Sequence, residues 1–222
     1  MGTEDARKLI VWGAPGQCIV LAEFAARAGY LIVAVFDNNP RAASPVEGVD
    51  VIIGIRGFKE WCAVEDVRQV YGIAAIGGSS GRDRCEIHSL FKNAGVRVAT
   101  LVHPQAYVAR DSVVGEGCQI LASATVCARA IIGRSCIINT GASVDHECSI
   151  AEGVHIGPGA RLAGLVQVGE RSFIGTGAIA LPRVRIGSDS IVGAGSVVTR
   201  DIPSGVVAFG SPAKTVRQNR RS

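Results

Sequence analysis

From Val108 onward the sequence keeps a period of six. Stepping by six from Val108 to Val198 reaches sixteen positions without a slip, and only Ala180 among them is not a large aliphatic residue. An α-helix cannot hold such a stripe on one face, because 3.6 residues per turn rotate it away. An ordinary strand carries period two and ends at irregularly spaced turns. A period of six over 90 residues means a flat face of fixed length, a corner, and the same again. That is a hexapeptide β-solenoid. Three faces of six residues make a coil of 18, so this stretch holds five coils.

The residues four after each aliphatic position agree with that register. They include Cys118, Ala124, Ala130, Cys136, Ala142, Cys148, Ala160, Ser172, Ala178, Ser190 and Ser196, all small, as an inward position beside a tight corner requires. Glycine often follows the aliphatic residue directly, as at Gly115, Gly133, Gly157, Gly169, Gly175, Gly187 and Gly193, and suits a corner. The composition now has a cause. The chain has 28 glycines and only 5% aromatic residues, the mark of thin layers stacked without large rings. Three of its seven cysteines, Cys118, Cys136 and Cys148, are small core residues with no reactivity implied.

The first hundred residues follow another rule. Lys8–Trp12 is a short apolar strand, Gly13-Ala14-Pro15-Gly16 a turn, and Gln17–Ala28 a helix with Val20, Leu21, Phe24 and Ala28 on one side. Strands are expected at Leu31–Phe36, Val49–Ile53, Ile73–Ile76 and Val96–Leu101, and helices at Phe58–Val70 and Arg82–Ala94. Alternating strands and helices imply a parallel α/β domain. The chain thus divides into a small α/β domain over 1–101 and a solenoid with a C-terminal tail over 102–222. A strand, a glycine turn and a helix can hold phosphates at the helix N-terminus. The dinucleotide fingerprint is incomplete, since its three glycine positions read Gly13, Pro15 and Cys18.

Several classes are excluded or disfavoured. A net charge of +4 is too small to argue for nucleic acid, and part of it sits in Arg217, Arg220 and Arg221, a solvated terminus. No apolar run reaches the length of a membrane span. The polar start and the odd count of cysteines without CxxC pairs fit reduced thiols in the cytoplasm, with no signal peptide expected.

Phrases such as Ile132-Gly133-Arg134-Ser135-Cys136-Ile137 and the ending Gly210-Ser211-Pro212-Ala213-Lys214 resemble the bacterial hexapeptide transferases. An α/β domain with a Gly-x-x-Gly turn ahead of such a solenoid resembles, more narrowly, the sugar acyltransferases. These are the UDP-4-amino-sugar and GDP-perosamine N-acetyltransferases and the sialic acid O-acetyltransferase-like proteins. The most specific segment is Asn139-Thr140-Gly141-Ala142-Ser143-Val144-Asp145-His146-Glu147-Cys148, continuing to His155 and Ala163-Gly164. The resemblance implies a Rossmann-like domain followed by a left-handed parallel β-helix. It also implies a homotrimer with active sites between subunits, and acetyl transfer from acetyl-CoA to a nucleotide-linked amino sugar for a bacterial surface glycan.

Of the four histidines, His88 lies on a predicted helix without a partner in sequence and suits a surface or core role, and His103 precedes Pro104 where it supports the backbone. His146 and His155 avoid the inward solenoid positions and are expected to point outward. A histidine suits removal of a proton near neutral pH, and a carboxylate on Nδ1 would fix its tautomer. The resemblance gives His146 the role of base and Glu147 that of its orienting acid, while the sequence alone leaves Asp145 nearly as good. It further implies that His155, Gly164, Thr176 and Ala194 meet acetyl-CoA, with the Gly164 N–H toward the thioester oxygen. Pro15, Gly16 and Gln17 would hold the sugar nucleotide, and Asp37, Asn38 and Gly77 would surround its base and ribose. Gln17 departs from the family's UDP-sugar members, which usually carry histidine there; it can hydrogen-bond but cannot take a proton. Acetylation of a hydroxyl on a sugar or sialic acid, and a non-catalytic sugar-nucleotide scaffold, are the competing readings. A metal-dependent hydrase on this solenoid needs three histidines, and the two here stand nine residues apart, so no metal is expected.

Overall fold

A computed structural model describes residues 6–219. The expectations for the polar start and for Arg220 and Arg221 lie outside the described residues, while Arg217 is exposed on the last strand, Ala213–Gln218.

Five parallel strands open the chain: β1 (Arg7–Trp12), β2 (Tyr30–Asp37), β3 (Val51–Ile53), β4 (Val70–Ala74) and β5 (Arg97–Val98). They stand in the order β3-β2-β1-β4-β5, with α1 (Gln17–Ala25), α2 (Gly54–Val64) and α3 (Gly81–Asn93) in the crossovers. The order reverses at β1, so the crevice at the carboxyl ends of β1 and β4 is a topological switch point. β1 is buried on both faces, which explains its unbroken Leu9-Ile10-Val11-Trp12 run. Most of the chain's few rings gather here, with Trp12, Phe36, Phe58 and Phe91 in mutual contact beneath α2 and α3.

Several expectations for this region need correction: the strand expected over Ile73–Ile76 is Val70–Ala74, and the helix expected to reach Ala28 ends at Ala25. The helix expected to run to Val70 stops at Val64, because Val70 is wholly buried as the first residue of β4. The buried side of α1 is Cys18, Leu21, Phe24 and Ala25, and Val20 is exposed. The single strand expected over Val96–Leu101 is two: β5 closes the first sheet, and Leu101–Val102 already pairs with Gln119–Ile120 of the solenoid.

Beyond it the chain winds through two-residue strands, and as far as Ile179–Ala180 each pairs with the strand 18 residues on, as Thr125 with Ser143 and Ile131 with Ser149. Every third strand falls in the same sheet, so three parallel sheets form a triangular prism. Its core is the stripe and the small residues read from the sequence, including Cys118, Cys136 and Cys148 at 0% exposure.

The glycines after the aliphatic residues have a different cause from the one expected. A Cβ on Gly133 would stand 2.8 Å from the Ala151 carbonyl carbon, so these residues let successive coils stack closely. The left-handed corner position comes two residues later. There Gly141 and Gly159 alternate with Ser123, Glu147, Leu165 and other side-chain-bearing residues at φ near +60°.

Leu101, Leu121 and Ile137 on the outer face of the prism share one apolar cluster with Leu9, Val11, Cys18 and Leu21 of the first domain. Polar contacts reinforce that seam. Arg84 of α3, fully buried, donates to the carbonyls of Ile76, Ser135 and Gly153. His88 accepts from the Ala74 N–H through Nε2 at 3.0 Å and meets Ser135 Oγ through Nδ1 at 2.7 Å. It is therefore a seam residue. His103 Nδ1 accepts from the Gln105 N–H, the backbone support expected of it.

Candidate active site

Two places on the chain collect the residues singled out above. The first is the crevice at the switch point, a cleft of about 510 Å³ lined by Pro15, Gly16, Gln17, Asp37, Gly77 and His155, with Gly13 and Gly78 beside them. Gly13 must be glycine, since φ is +106° and a Cβ would stand 2.6 Å from the Ala75 carbonyl oxygen. α1 begins at Gln17 without a side-chain cap, which leaves its first-turn N–H groups for an anion. Asp37 is tied to the chain itself: its carboxylate accepts from the N–H groups of Ala14 and Asn39, each at 2.8 Å. It fixes the mouth of the cleft, and Asn38 beyond it is exposed and is not part of the cleft lining.

His155 takes the expected outward position but does not reach solvent. It leaves the prism outward, but the first domain covers it, and only 4% of it is exposed. Gly78 O is an acceptor only, so Nδ1 carries the proton and donates to it at 3.2 Å. Nε2 then accepts from Asn139 Nδ2 at 2.9 Å, while Asn139 Oδ1 takes the Thr140 N–H. Burial, with the Arg84 charge adding to it, pushes the imidazole down to about 3. A neutral ring with both nitrogens committed is a strut, so His155 stands with the cleft of the first domain and not beside Gly164.

The second place is a corner of the prism. His146 and Gly164 occupy equivalent corner positions one coil apart, and Leu165 N–H donates to His146 O at 3.0 Å. Glu147 follows at φ +57°, and its Oε2 lies 3.3 Å from His146 Nδ1. Asp145 Oδ1 is spent on the backbone N–H of His146 at 2.7 Å, so the carboxylate at Nδ1 is that of Glu147. The other side of the ring meets Gly164 so closely that a Cβ there would overlap Nε2. The Gly164 N–H donates to no group among the described residues. Cys148, next in sequence, is core: its thiol donates to Ala163 O, and burial pushes it up to about 11.

Thr176 and Ala194 are exposed and stacked one coil apart on the preceding corner, across the face whose strands include Ser143–Val144 and Arg161–Leu162. The expected acetyl-CoA residues are therefore spread over two corners and the domain seam. Sequence reasoning missed Gln119, which is fully buried and hydrogen-bonds Gln17 and Ala74. It occupies the same outward register position as Ile137, His155 and Phe173, which pair side by side up one face. Polarity next to an aliphatic stripe was the available signal, and it pointed to solvent.

The bacterial transferase hexapeptide family (six repeats) matches residues 166–200. A variant of perosamine N-acetyltransferase from Caulobacter crescentus, solved with CoA and GDP-perosamine, is 35% identical at a TM-score of 0.87, over 94% of this chain and 96% of that one. The acetyltransferase domain of PglB from Neisseria gonorrhoeae FA1090, also solved with acetyl coenzyme A, is 34% identical at 0.84, over 95% and 100%. WeeI from Acinetobacter baumannii AYE shares the fold at 24% identity and a TM-score of 0.79 over 94% and 99%. The comparison with curated proteins gives no match. With these neighbours the prism is the left-handed parallel β-helix that the resemblance implied, behind a Rossmann-like domain.

Proposed function

Because the chain belongs to the hexapeptide-repeat sugar acyltransferases, we propose that it moves acetyl from acetyl-CoA to the amine of a nucleotide-linked amino sugar, with His146 as general base. The observation that carries this reading is the His146 ring held between Glu147 on Nδ1 and the Gly164 backbone on Nε2. The sugar-nucleotide domain ends with β5, and the transfer domain begins at Leu101, the first residue paired into the prism. Phosphates of the sugar nucleotide rest on the backbone N–H groups of the first turn of α1, after Pro15, Gly16 and Gln17, while Gly77, Asp37 and Asn38 surround its base and ribose.

Bound acetyl-CoA supplies an activated acetyl thioester. His146 Nε2 accepts the proton that the attacking amine loses and returns it to the departing thiolate sulfur. Glu147 holds the Nδ1–H tautomer and balances the imidazolium between those two transfers. The Gly164 N–H donates toward the thioester oxygen as negative charge develops there. No acyl-enzyme is needed. Thr176 and Ala194, exposed one above the other on the preceding corner, would line part of the acetyl-CoA chain, and His155 buttresses the sugar-nucleotide cleft.

The sugar-nucleotide cleft lies over one face of the prism, whereas His146 stands on a corner outside that face. A homotrimer that sets one chain's His146 corner against the cleft of its neighbour would complete the site. The reaction belongs in the cytoplasm, in the assembly of a bacterial surface glycan. The test is release of free thiol from acetyl-CoA across UDP-, GDP- and dTDP-linked amino sugars. Wild-type protein turns over at least one, and His146→Ala abolishes turnover while the solution mass stays that of three chains. Full activity in His146→Ala, or turnover only with hydroxyl acceptors, overturns the assignment.

A further inference from the structure

We infer that Gln119 is a positioning residue for Gln17: it fixes the Gln17 amide so that the cleft meets a carbonyl oxygen, and the sugar nucleotide is recognised there through one of its own N–H or O–H groups. This rests on the sugar-nucleotide reading of the cleft.

Hydrogen-bond direction sets both amides. The Ala74 carbonyl at the end of β4 can only accept, so the Gln119 amide must turn Nε2 toward it, at 2.8 Å. Gln119 Oε1 then faces Gln17 and can only accept, so Gln17 must turn Nε2 toward Gln119, at 2.7 Å. Gln17 Oε1 is left on the far side. It lies 3.8 Å from where a Cβ of Gly77 would stand, and His155 Cε1 lies 3.8 Å from that same point. Both His155 nitrogens are committed to Gly78 and Asn139, so that ring shows the cleft a C–H edge. The polar atom offered here is the Gln17 oxygen.

Rotating Gln17 by half a turn would set oxygen against oxygen beside a side chain that is 0% exposed, and would leave a buried acceptor unpaired. Gln119 sits on a strand of the prism and Ala74 on the central sheet, so neither end of the relay can drift. One of the two Gln17 N–H donors is thereby committed to Gln119, and the carbonyl oxygen, not the NH2 group, is the end turned to the cleft. An acceptor at this point repels phosphate or carboxylate oxygens and admits a hydroxyl or amine of the bound sugar nucleotide.

The test is steady-state kinetics with the amino-sugar nucleotide that wild-type protein turns over best. Gln119→Met fills the same space and frees the Gln17 amide. It should raise KM for the sugar nucleotide about tenfold, the worth of one hydrogen bond, with KM for acetyl-CoA unmoved. Gln119→Glu recovers most of that loss, since a carboxyl protonated by burial donates to Ala74 and accepts from Gln17 as the amide does. Gln17→Leu, at a partly exposed position, gives a similar rise even where Gln119→Met fails to fold. The double variant should be no worse than the worse single. A KM within about twofold of wild type in both single variants, or losses that multiply in the double, overturns the relay while leaving the sugar-nucleotide reading intact. Wild-type protein inert on every sugar nucleotide overturns that reading and the relay with it.

Discussion

The His146 imidazole rests against the backbone of Gly164, so that a Cβ on that residue would stand 2.5 Å from Cε1. The two residues are one coil apart, and the glycine is the space that the ring occupies. Gly164→Ala should therefore push the ring off its present line without disturbing the stripe. With Nε2 displaced by roughly an ångström, kcat should fall about 100-fold. Because His146 is exposed and can swing outward, thermal unfolding should move by only a few degrees. Turnover measured beside a melting curve separates the two effects.

Glu147 and Asp145 flank the same histidine but have different duties. Glu147→Gln removes the charge at Nδ1 and should lower kcat about tenfold with KM for both substrates little changed. Asp145→Asn keeps an oxygen for the His146 N–H and should stay within about threefold of wild type. Equal losses in the two variants would contradict the assignment.

Cys148→Ala should keep kcat within about threefold, because the thiol is a core group bonded to Ala163 O and burial holds it protonated. Loss of turnover, or an acetylated protein seen by intact mass, would point to an acyl-enzyme.

Arg84 satisfies three carbonyls across the domain seam and is itself fully buried. Arg84→Met should cost about 3 kcal/mol or more, since each abandoned buried acceptor costs roughly 1–3 kcal/mol. Chemical denaturation reads this directly. Arg84→Lys, with one ammonium for three carbonyls, should recover only part.

Burial pushes His88 and His155 down to about 3 from the ordinary 6.5. Below pH 6.5 the unfolded chain takes up protons that the native state refuses. Their contribution to stability is thus complete above about 6.5 and is lost as pH falls toward 3. Each adds up to about 1.4 kcal/mol per pH unit over that window. Urea midpoints should fall between about pH 6.5 and 5, and His155→Gln should flatten the slope. A midpoint constant over that range would contradict the neutral, buried state of both rings.

The seam shows where sequence legibility ends. Val144 and Cys148 could be placed inward from the period alone, and both lie at 0% exposure. His155 and Gln119 sit one residue before the stripe, at outward positions by the same rule, yet both are buried. The rule gave the direction of the side chain correctly; what covers that direction is another domain. Likewise Asp145 and Glu147 were equivalent as neighbours of His146. The corner separates them, because the left-handed backbone at Glu147 brings its carboxylate to Nδ1 while Asp145 turns back on the chain.

The sequence by itself determined the solenoid, its 18-residue coil, the alternating α/β start and the cysteines' place in the core. These follow from local periodicity, which a one-dimensional string carries in full. Only the tertiary structure decided which outward residues are wet, which carboxylate serves His146, and which way the Gln17 amide faces. Those depend on partners distant along the chain, up to 102 residues between Gln17 and Gln119, and on the directionality of the hydrogen bonds that join them.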